Sequence, residues 1–157
     1  MSSDQKLYLP SSEDIEVLAR HRAVIEKHLS PSDFKTKYRT AAGKLGTLRA
    51  VISANIFKAN QTFELRSVGV VLGDTFVLDM GFHWIVVEDE YGRDFALTYK
   101  GSSIIIFPLT MISKRVERGE TVDVFDLYNG VANKVQALGT SRKVAMSADG
   151  ETGCCGV

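Results

Sequence analysis

The chain has only two cysteines, three prolines and no formal net charge over its 157 residues. Both cysteines, Cys154 and Cys155, lie at the end of the sequence, so it predicts no disulfide framework and indicates no oxidising compartment. The scarcity of proline argues against a linker-rich or disordered chain. The absence of a basic excess argues against a nucleic-acid partner.

Long apolar segments are also missing. No run approaches the ~20 apolar residues that a membrane helix needs, and residues 1–10 lack the apolar stretch of a signal peptide. We therefore expect a protein of the cytoplasm that does not contact a membrane.

The overall composition is that of an ordinary globular protein. Hydrophobic residues make up 45% of the chain and charged residues 24%, and the length suits one domain with its own core. Residues 140–157 are small, polar and aperiodic. The sequence therefore predicts a single α+β domain over residues 1–139 and a flexible C-terminal tail over residues 140–157.

Hydrophobic periodicity predicts four helices, then three strands, then two helices. The first four helices are expected near residues 11–29, from Pro31, near 44–57 and near 62–80. The strands are expected at 84–88, 95–100 and 103–107, and the last helices near 109–118 and from Asp123 to about Leu138, ended by Gly139. Short connections between the strands indicate an antiparallel meander. The predicted fold is thus α-α-α-α-β-β-β-α-α, with the helices packed on one face of a small three-stranded sheet.

The helix at 62–80 is apolar nearly all round, which predicts a central position. Gly69 and Gly73 lie one turn apart on it, so another backbone can approach closely there. Gly81 is placed to end the helix.

Histidine spacing does not indicate a metal site. His21 and His28 are seven residues apart, whereas a metal-binding pair on a helix is usually four apart. His83 is remote from both. We predict no metal ligand, no cofactor and no catalytic residue.

Each of two charged clusters has a structural and a functional interpretation. The acidic run Glu88-Asp89-Glu90, next to Tyr91 and Arg93, does not match a calcium loop, so it is either a solvated hairpin tip or a loop that contacts a partner. The basic cluster either complements a helix dipole or pairs with acidic groups, on a partner or on the acidic hairpin of the same chain. The members of this basic cluster are Lys114, Arg115 and Arg118.

Four strings carry a resemblance to a known family: GKLGTLR at 43–49, VGVVLGD at 68–74, WIVVEDEYGRD at 84–94 and FPLTMISKR at 107–115. Over roughly residues 43–137 the chain resembles a bacterial family known only as a domain of unknown function, number 3806. The resemblance implies a bacterial source. It implies no activity, substrate or catalytic residue.

The leading functional hypothesis is a non-enzymatic protein-binding module, because a catalytic set is missing and the charged edges carry an aromatic residue. One version is an immunity-type protein that neutralises a toxin, by analogy of size and fold class. The candidate contact residues are Glu88, Asp89, Glu90, Tyr91, Arg93, Lys114, Arg115 and Arg118. The alternative is a small-ligand binder or enzyme whose polar candidates, His83, Asp74, Glu88 and Arg115, converge where the central helix meets the first predicted strand.

Overall fold

The structure is a computed structural model that describes residues 5–99 and 102–146, with the side chains of the last helix described up to Leu138. The chain divides into two compact units between Val122 and Asp123. The elements are, in chain order, β1 Lys6–Tyr8, α1 Ser12–Glu26, α2 Pro31–Lys35, a 3-10 helix Lys37–Arg39, α3 Ala41–Ser53, α4 Thr62–Met80, β2 Phe82–Asp89, β3 Gly92–Tyr99, β4 Ile105–Ile106, α5 Pro108–Glu117 and α6 Val124–Met146. The fold is α+β, as predicted. The extent of a single domain over residues 1–139 stays a prediction.

The sheet of the first unit is an antiparallel meander in the order β1-β2-β3-β4. The predicted meander is confirmed, but the count of three strands is wrong because β1 adds a fourth strand beside β2. β1 has only three residues, all exposed, and it pairs with Val86, Val87 and Glu88, far along the chain. A strand this short has no hydrophobic periodicity of its own, so its partner alone defines it.

One face of the sheet packs against helices. Trp84 of β2 and Phe95 of β3 lie against a buried cluster formed by Leu18, Val70 and Leu109, which belong to α1, α4 and α5. Burial of these apolar side chains holds the three helices on this face.

The other face of β2 and β3 is apolar as well. Ile85, Val87 and Ala96 are nearly completely buried, and Ile105 and Phe107 pack against them. Both strands therefore bury side chains on both faces.

Helix α4 is the centre of the first unit, and its bounds match the predicted 62–80. A Cβ atom at Gly69 would lie 2.5 Å from both the Leu109 Cα and the Pro108 carbonyl oxygen, so the start of α5 approaches the α4 backbone closely. At Gly73 the close neighbour is the Trp84 ring, at 2.6 Å. Gly81 ends the helix in the left-handed conformation, with φ of 83°.

Helix α6 is described by itself. The Asp123 carboxylate accepts a hydrogen bond from the Asp126 backbone N–H at 3.1 Å and caps the helix start as predicted. The predicted end at Gly139 is wrong, since the helix continues to Met146. One glycine costs a helix only about 1 kcal/mol relative to alanine, so it does not by itself end a helix. The predicted tail from residue 147 onward lies outside the described residues.

No helix in the part of the chain that the structure describes is both long enough and apolar enough to span a membrane.

Candidate functional site

The turn between β2 and β3 projects an aromatic side chain into solvent. Asp89 pairs with Gly92 at the end of the ladder, and the Asp89 carboxylate accepts a hydrogen bond from the Tyr91 backbone N–H at 2.8 Å. Gly92 has φ of 126°, a value that only glycine adopts readily. The turn is therefore well defined, and the Tyr91 residue at its tip is 87% exposed.

Three carboxylate residues directly precede this tyrosine in the sequence. Glu88, Asp89 and Glu90 line a shallow depression of about 390 Å³ together with Lys6 of β1. Glu88 also accepts a hydrogen bond from the Tyr8 hydroxyl at 3.2 Å. We call Glu88, Asp89, Glu90 and Tyr91 the acidic tip.

Arg93 anchors this hairpin on α1. Its guanidinium donates two hydrogen bonds to the Asp14 carboxylate, at 3.0 and 2.9 Å. Asp14 is only 6% exposed, and it also forms a capping box with Ser11 at the start of α1. The hydrogen bond from Arg93 and those from Ser11 hold the pKa of the Asp14 carboxyl well below its usual range. Arg93 thus holds the hairpin in place, a role that sequence reasoning missed.

The three basic residues of α5 and its C-terminal end have local surroundings. Arg115 donates to the Met111 carbonyl oxygen at 3.0 Å, and Arg118 forms an ion pair with Glu120 at 2.7 Å. Lys114 is exposed in the last turn of the same helix, where a positive charge complements the helix dipole. Among the described residues, no ion pair joins this cluster to the acidic tip.

The polar residues proposed for an unrecognised enzyme or ligand site each contact other groups. Asp74 binds Arg22 and Trp84, Glu88 belongs to the acidic tip, and Arg115 binds its own helix. His83 is exposed on β2 opposite Thr98. No hydrogen bond between described residues brings these candidates together.

Asp74 is instead the centre of a partly buried ionic network. The Arg22 guanidinium donates to both Asp74 carboxylate oxygens, at 2.6 and 2.9 Å, and the Trp84 indole N–H donates to one of them at 3.0 Å. The hydrogen bond with Asp74 raises the pKa of Arg22 further. The network therefore joins α1, α4 and β2 through one carboxylate.

Three further side chains lie in the electrostatic reach of this network. Burial raises the pKa of Glu26 and lowers the pKa of Lys44, whose ammonium lies 3.9 Å above the Tyr38 ring. Burial also raises the pKa of Tyr38, and its hydroxyl has no hydrogen-bond partner among the described residues. Two cations, Arg22 and Lys44, balance two anions, Glu26 and Asp74. These groups bring α1, the 3-10 helix, α3 and α4 into one electrostatic network.

His21 is buried in the same part of the fold. Its Nδ1 lies 2.8 Å from the Ser67 hydroxyl oxygen, and its ring stacks on Phe63 with 4.2 Å between the ring centroids. Burial, with a smaller contribution from the positive charge of Arg66, lowers the pKa of His21 to about 4. His21 is therefore a neutral, buried side chain at neutral pH.

This burial predicts a pH dependence of stability. Because the pKa of His21 falls from 6.5 to about 4 on folding, the unfolded chain binds more protons than the folded chain between these pH values. The contribution of neutral, buried His21 to the free energy of unfolding is present above pH 6.5 and is lost as the pH falls toward 4. The stability of His21→Gln, measured by urea unfolding, will fall less over this range than that of the wild type. His28→Gln, at an exposed histidine, should keep the wild-type profile; equal profiles for all three proteins would contradict the assignment.

A groove of about 490 Å³ runs along α3. One wall is α3 itself, and the opposite wall comes from the segment between α1 and α2, from α2 and from the 3-10 helix. We call this the α3 groove. Its lining residues are His28, Leu29, Asp33, Lys37, Gly43, Gly46, Thr47, Ala50, Val51, Ala54 and Ile56.

The model of the family described as "Domain of unknown function (DUF3806)" matches residues 44–128. The chain therefore belongs to this family, as the resemblance implied. The match covers α4, the hairpin with the acidic tip and α5.

A similar fold occurs in a solved crystal structure of a protein from Bacteroides thetaiotaomicron VPI-5482. The likeness has a TM-score of 0.66 at 14% sequence identity and covers 85% of this chain. At this identity the likeness concerns the fold alone, and the chain spans about half of that protein, 49% of its length. No curated protein matches the chain.

Proposed function

We propose that this protein is a non-enzymatic protein-binding module that docks through the acidic tip onto a basic surface of a partner protein. The exposed Tyr91 carries the proposal. Tyrosine is enriched at protein interfaces, where it supplies a large contact area for few rotatable bonds. An 87% exposed tyrosine at the end of a hairpin has this area available.

The surroundings of Tyr91 support a basic partner. Glu88, Asp89 and Glu90 precede Tyr91 and give the tip three carboxylates, against the one ammonium of Lys6 in the same depression. Complementary charge steers the encounter of two proteins and selects among partners. The partner surface should therefore present lysine or arginine side chains around a hollow for the aromatic ring.

The rigidity of the hairpin also favours this role. All eight residues of β2 pair with β3, and the contacts of Arg93 with Asp14 and of Tyr8 with Glu88 hold both sides of the hairpin. A surface that is ordered before binding loses less conformational entropy on association. Arg115 and Arg118 lie outside the proposed surface because their side chains already bind the Met111 carbonyl and Glu120.

The proposal also covers the cell compartment and the class of partner. We place the protein in the cytoplasm of a bacterium, with a protein partner rather than nucleic acid or membrane. In the immunity-type version of the proposal the partner is a toxin whose basic surface is blocked by the tip.

Affinity capture with matched variants tests the proposal. Tagged wild-type protein should capture one stoichiometric protein from a lysate of the source organism, and Glu90→Lys/Tyr91→Ala should lose at least nine tenths of it. The lysine at position 90 would repel the basic surface of the partner, and the alanine at position 91 would remove the ring that the complex buries. Each of these changes should weaken the affinity more than tenfold.

Glu117→Lys is the matched control, because Glu117 is an exposed carboxylate on α5. It should capture the partner as the wild type does. Capture that the double variant leaves unchanged, or that both variants lose equally, would refute the acidic tip as the contact surface.

A further inference from the structure

We propose that Asp14 is a positioning residue for docking: it holds Arg93 against α1, keeps this guanidinium from pairing with Glu88, and so preserves the negative charge of the acidic tip. The inference rests on the proposed docking through the tip. It adds a residue that lies outside the tip, in the first turn of α1.

Arg93 stands at a position from which an arginine can neutralise the tip. It lies directly opposite Glu88 in the antiparallel pairing of β2 with β3. Residues in this arrangement have Cβ atoms about 5 Å apart, and opposite charges there attract each other. The hydrogen bond with Asp14 raises the pKa of Arg93, and the charge of Glu88 adds to the increase. Both carboxylates are therefore within electrostatic reach of the same guanidinium.

The observed partner of Arg93 is Asp14. The guanidinium donates to both carboxylate oxygens of Asp14, at 3.0 and 2.9 Å, and no ion pair between described residues joins it to Glu88. Two hydrogen bonds to one carboxylate fix a guanidinium in direction as well as in distance. The Arg93 charge is thus directed towards α1, and Glu88 accepts a hydrogen bond from the neutral Tyr8 hydroxyl instead.

The surroundings of Asp14 explain why it holds the guanidinium in preference to Glu88. Only 8% of the Asp14 side chain is exposed, and the Ser11 backbone N–H donates to one of its oxygens at 2.9 Å. Glu88 is less buried than Asp14. Because water weakens the attraction between charges, the pair with the more buried carboxylate is the stronger one.

The consequence is a more negative tip. With Arg93 balanced by Asp14, the three carboxylates of the tip are opposed by the Lys6 ammonium, which shares their depression. An Arg93 side chain turned towards Glu88 would cancel a further negative charge. The attraction between the tip and a basic partner surface would then fall.

The electrostatic potential at the tip tests the proposal without a partner. NMR on the full chain measures the paramagnetic relaxation of the amide protons of residues 88–91, with a cationic nitroxide and with an anionic nitroxide of the same ring. A negative surface attracts the cationic probe, so the cation-to-anion ratio of the relaxation rates reports the potential. Asp14→Asn should lower this ratio about twofold at low ionic strength, the order expected for one nearby charge.

Arg93→Gln should have the opposite effect. It breaks the same ion pair but removes the cation, so the ratio should rise about twofold. The double variant Asp14→Asn/Arg93→Gln should return to the wild-type ratio. If the ion pair acted only as a structural anchor, both single variants would change the ratio in the same direction.

Glu16→Gln is the matched control. It removes the same formal charge from an exposed position of α1, about 200° around the helix from Asp14. Its ratio should stay close to that of the wild type. An unchanged ratio in Asp14→Asn, or a fall of the ratio in both single variants, would overturn the proposal. Arg93→Gln alone decides the case if Asp14→Asn does not fold, since a ratio that does not rise would refute it.

Affinity capture gives the second readout. Asp14→Asn should capture less partner than the wild type. The double variant should capture more than Asp14→Asn, because both lack the anchor and only Asp14→Asn keeps the unbalanced cation. Equal capture by Asp14→Asn and the wild type would remove Asp14 from docking. The expected ratios with no capture by the wild type would refute docking through the tip, but not the effect of Asp14 on its charge.

Discussion

Gly69→Ala should lower the free energy of unfolding by about 3 kcal/mol, at the upper end of overpacking effects. The added methyl group would lie 2.5 Å from the Leu109 Cα and the Pro108 carbonyl oxygen, and both of these are backbone atoms. Neither can swing aside as the end of a side chain does, so α5 must move away from α4. Urea unfolding followed by circular dichroism measures the loss.

Gly46→Ala is the matched control for this prediction. Gly46 is also a helical glycine, but its added methyl group meets nothing within 4 Å. The free energy of unfolding should stay constant or rise by up to about 1 kcal/mol, since alanine is the better helix former. Equal changes in the two variants would contradict the close approach of α5 to α4.

Asp74→Ala should lower the free energy of unfolding by about 2–3 kcal/mol. It leaves the Arg22 guanidinium and the Trp84 indole N–H without their acceptor, and removing one partner of a buried ion pair costs about 3–5 kcal/mol. Side-chain exposures of 29% for Arg22 and 15% for Asp74 let water offset part of this cost. Thermal unfolding and urea unfolding should report the same loss.

The exposed ion pair of Arg118 and Glu120 provides the comparison. Its contact of 2.7 Å is almost as short as the 2.6 Å between Arg22 and Asp74, but both of its side chains face solvent. Exposed pairs contribute little to stability, so Glu120→Ala should leave the melting temperature unchanged. If Asp74→Ala melted at the wild-type temperature, the network around Asp74 would not join the elements as described.

Much of the fold could be predicted because its signals are local. The apolar surface of α4 and the glycine after it determined both ends of that helix, and Ser11 and Asp123 marked the starts of α1 and α6. Strand β1 could not be predicted in this way, because only its pairing with β2, some 80 residues away, makes it a strand.

The candidate site was predictable only in part. The acidic run and Tyr91 are adjacent in sequence, and a hairpin turn necessarily brings them together. The anchoring of Arg93 by Asp14 and the network of Arg22 with Asp74 join residues 79 and 52 positions apart. No periodicity or spacing marks such pairs in one sequence.

The α3 groove has a different reason for escaping prediction. Its wall consists of small residues such as Gly43, Gly46 and Ala50, whose sequence pattern indicates helix starts and turns as readily as a cavity. The groove exists because α2 and the 3-10 helix stand opposite α3, a tertiary arrangement that composition does not encode.

The contact role of the acidic tip is the central claim, and photo-crosslinking from position 91 tests it most directly. Benzoylphenylalanine replaces Tyr91 in one strain of the source organism and Glu117 in another, and both are irradiated in living cells. We predict a single crosslinked protein adduct from position 91 and none from position 117. No adduct from position 91, or the same adduct from both positions, would contradict the claim that the tip is the binding surface.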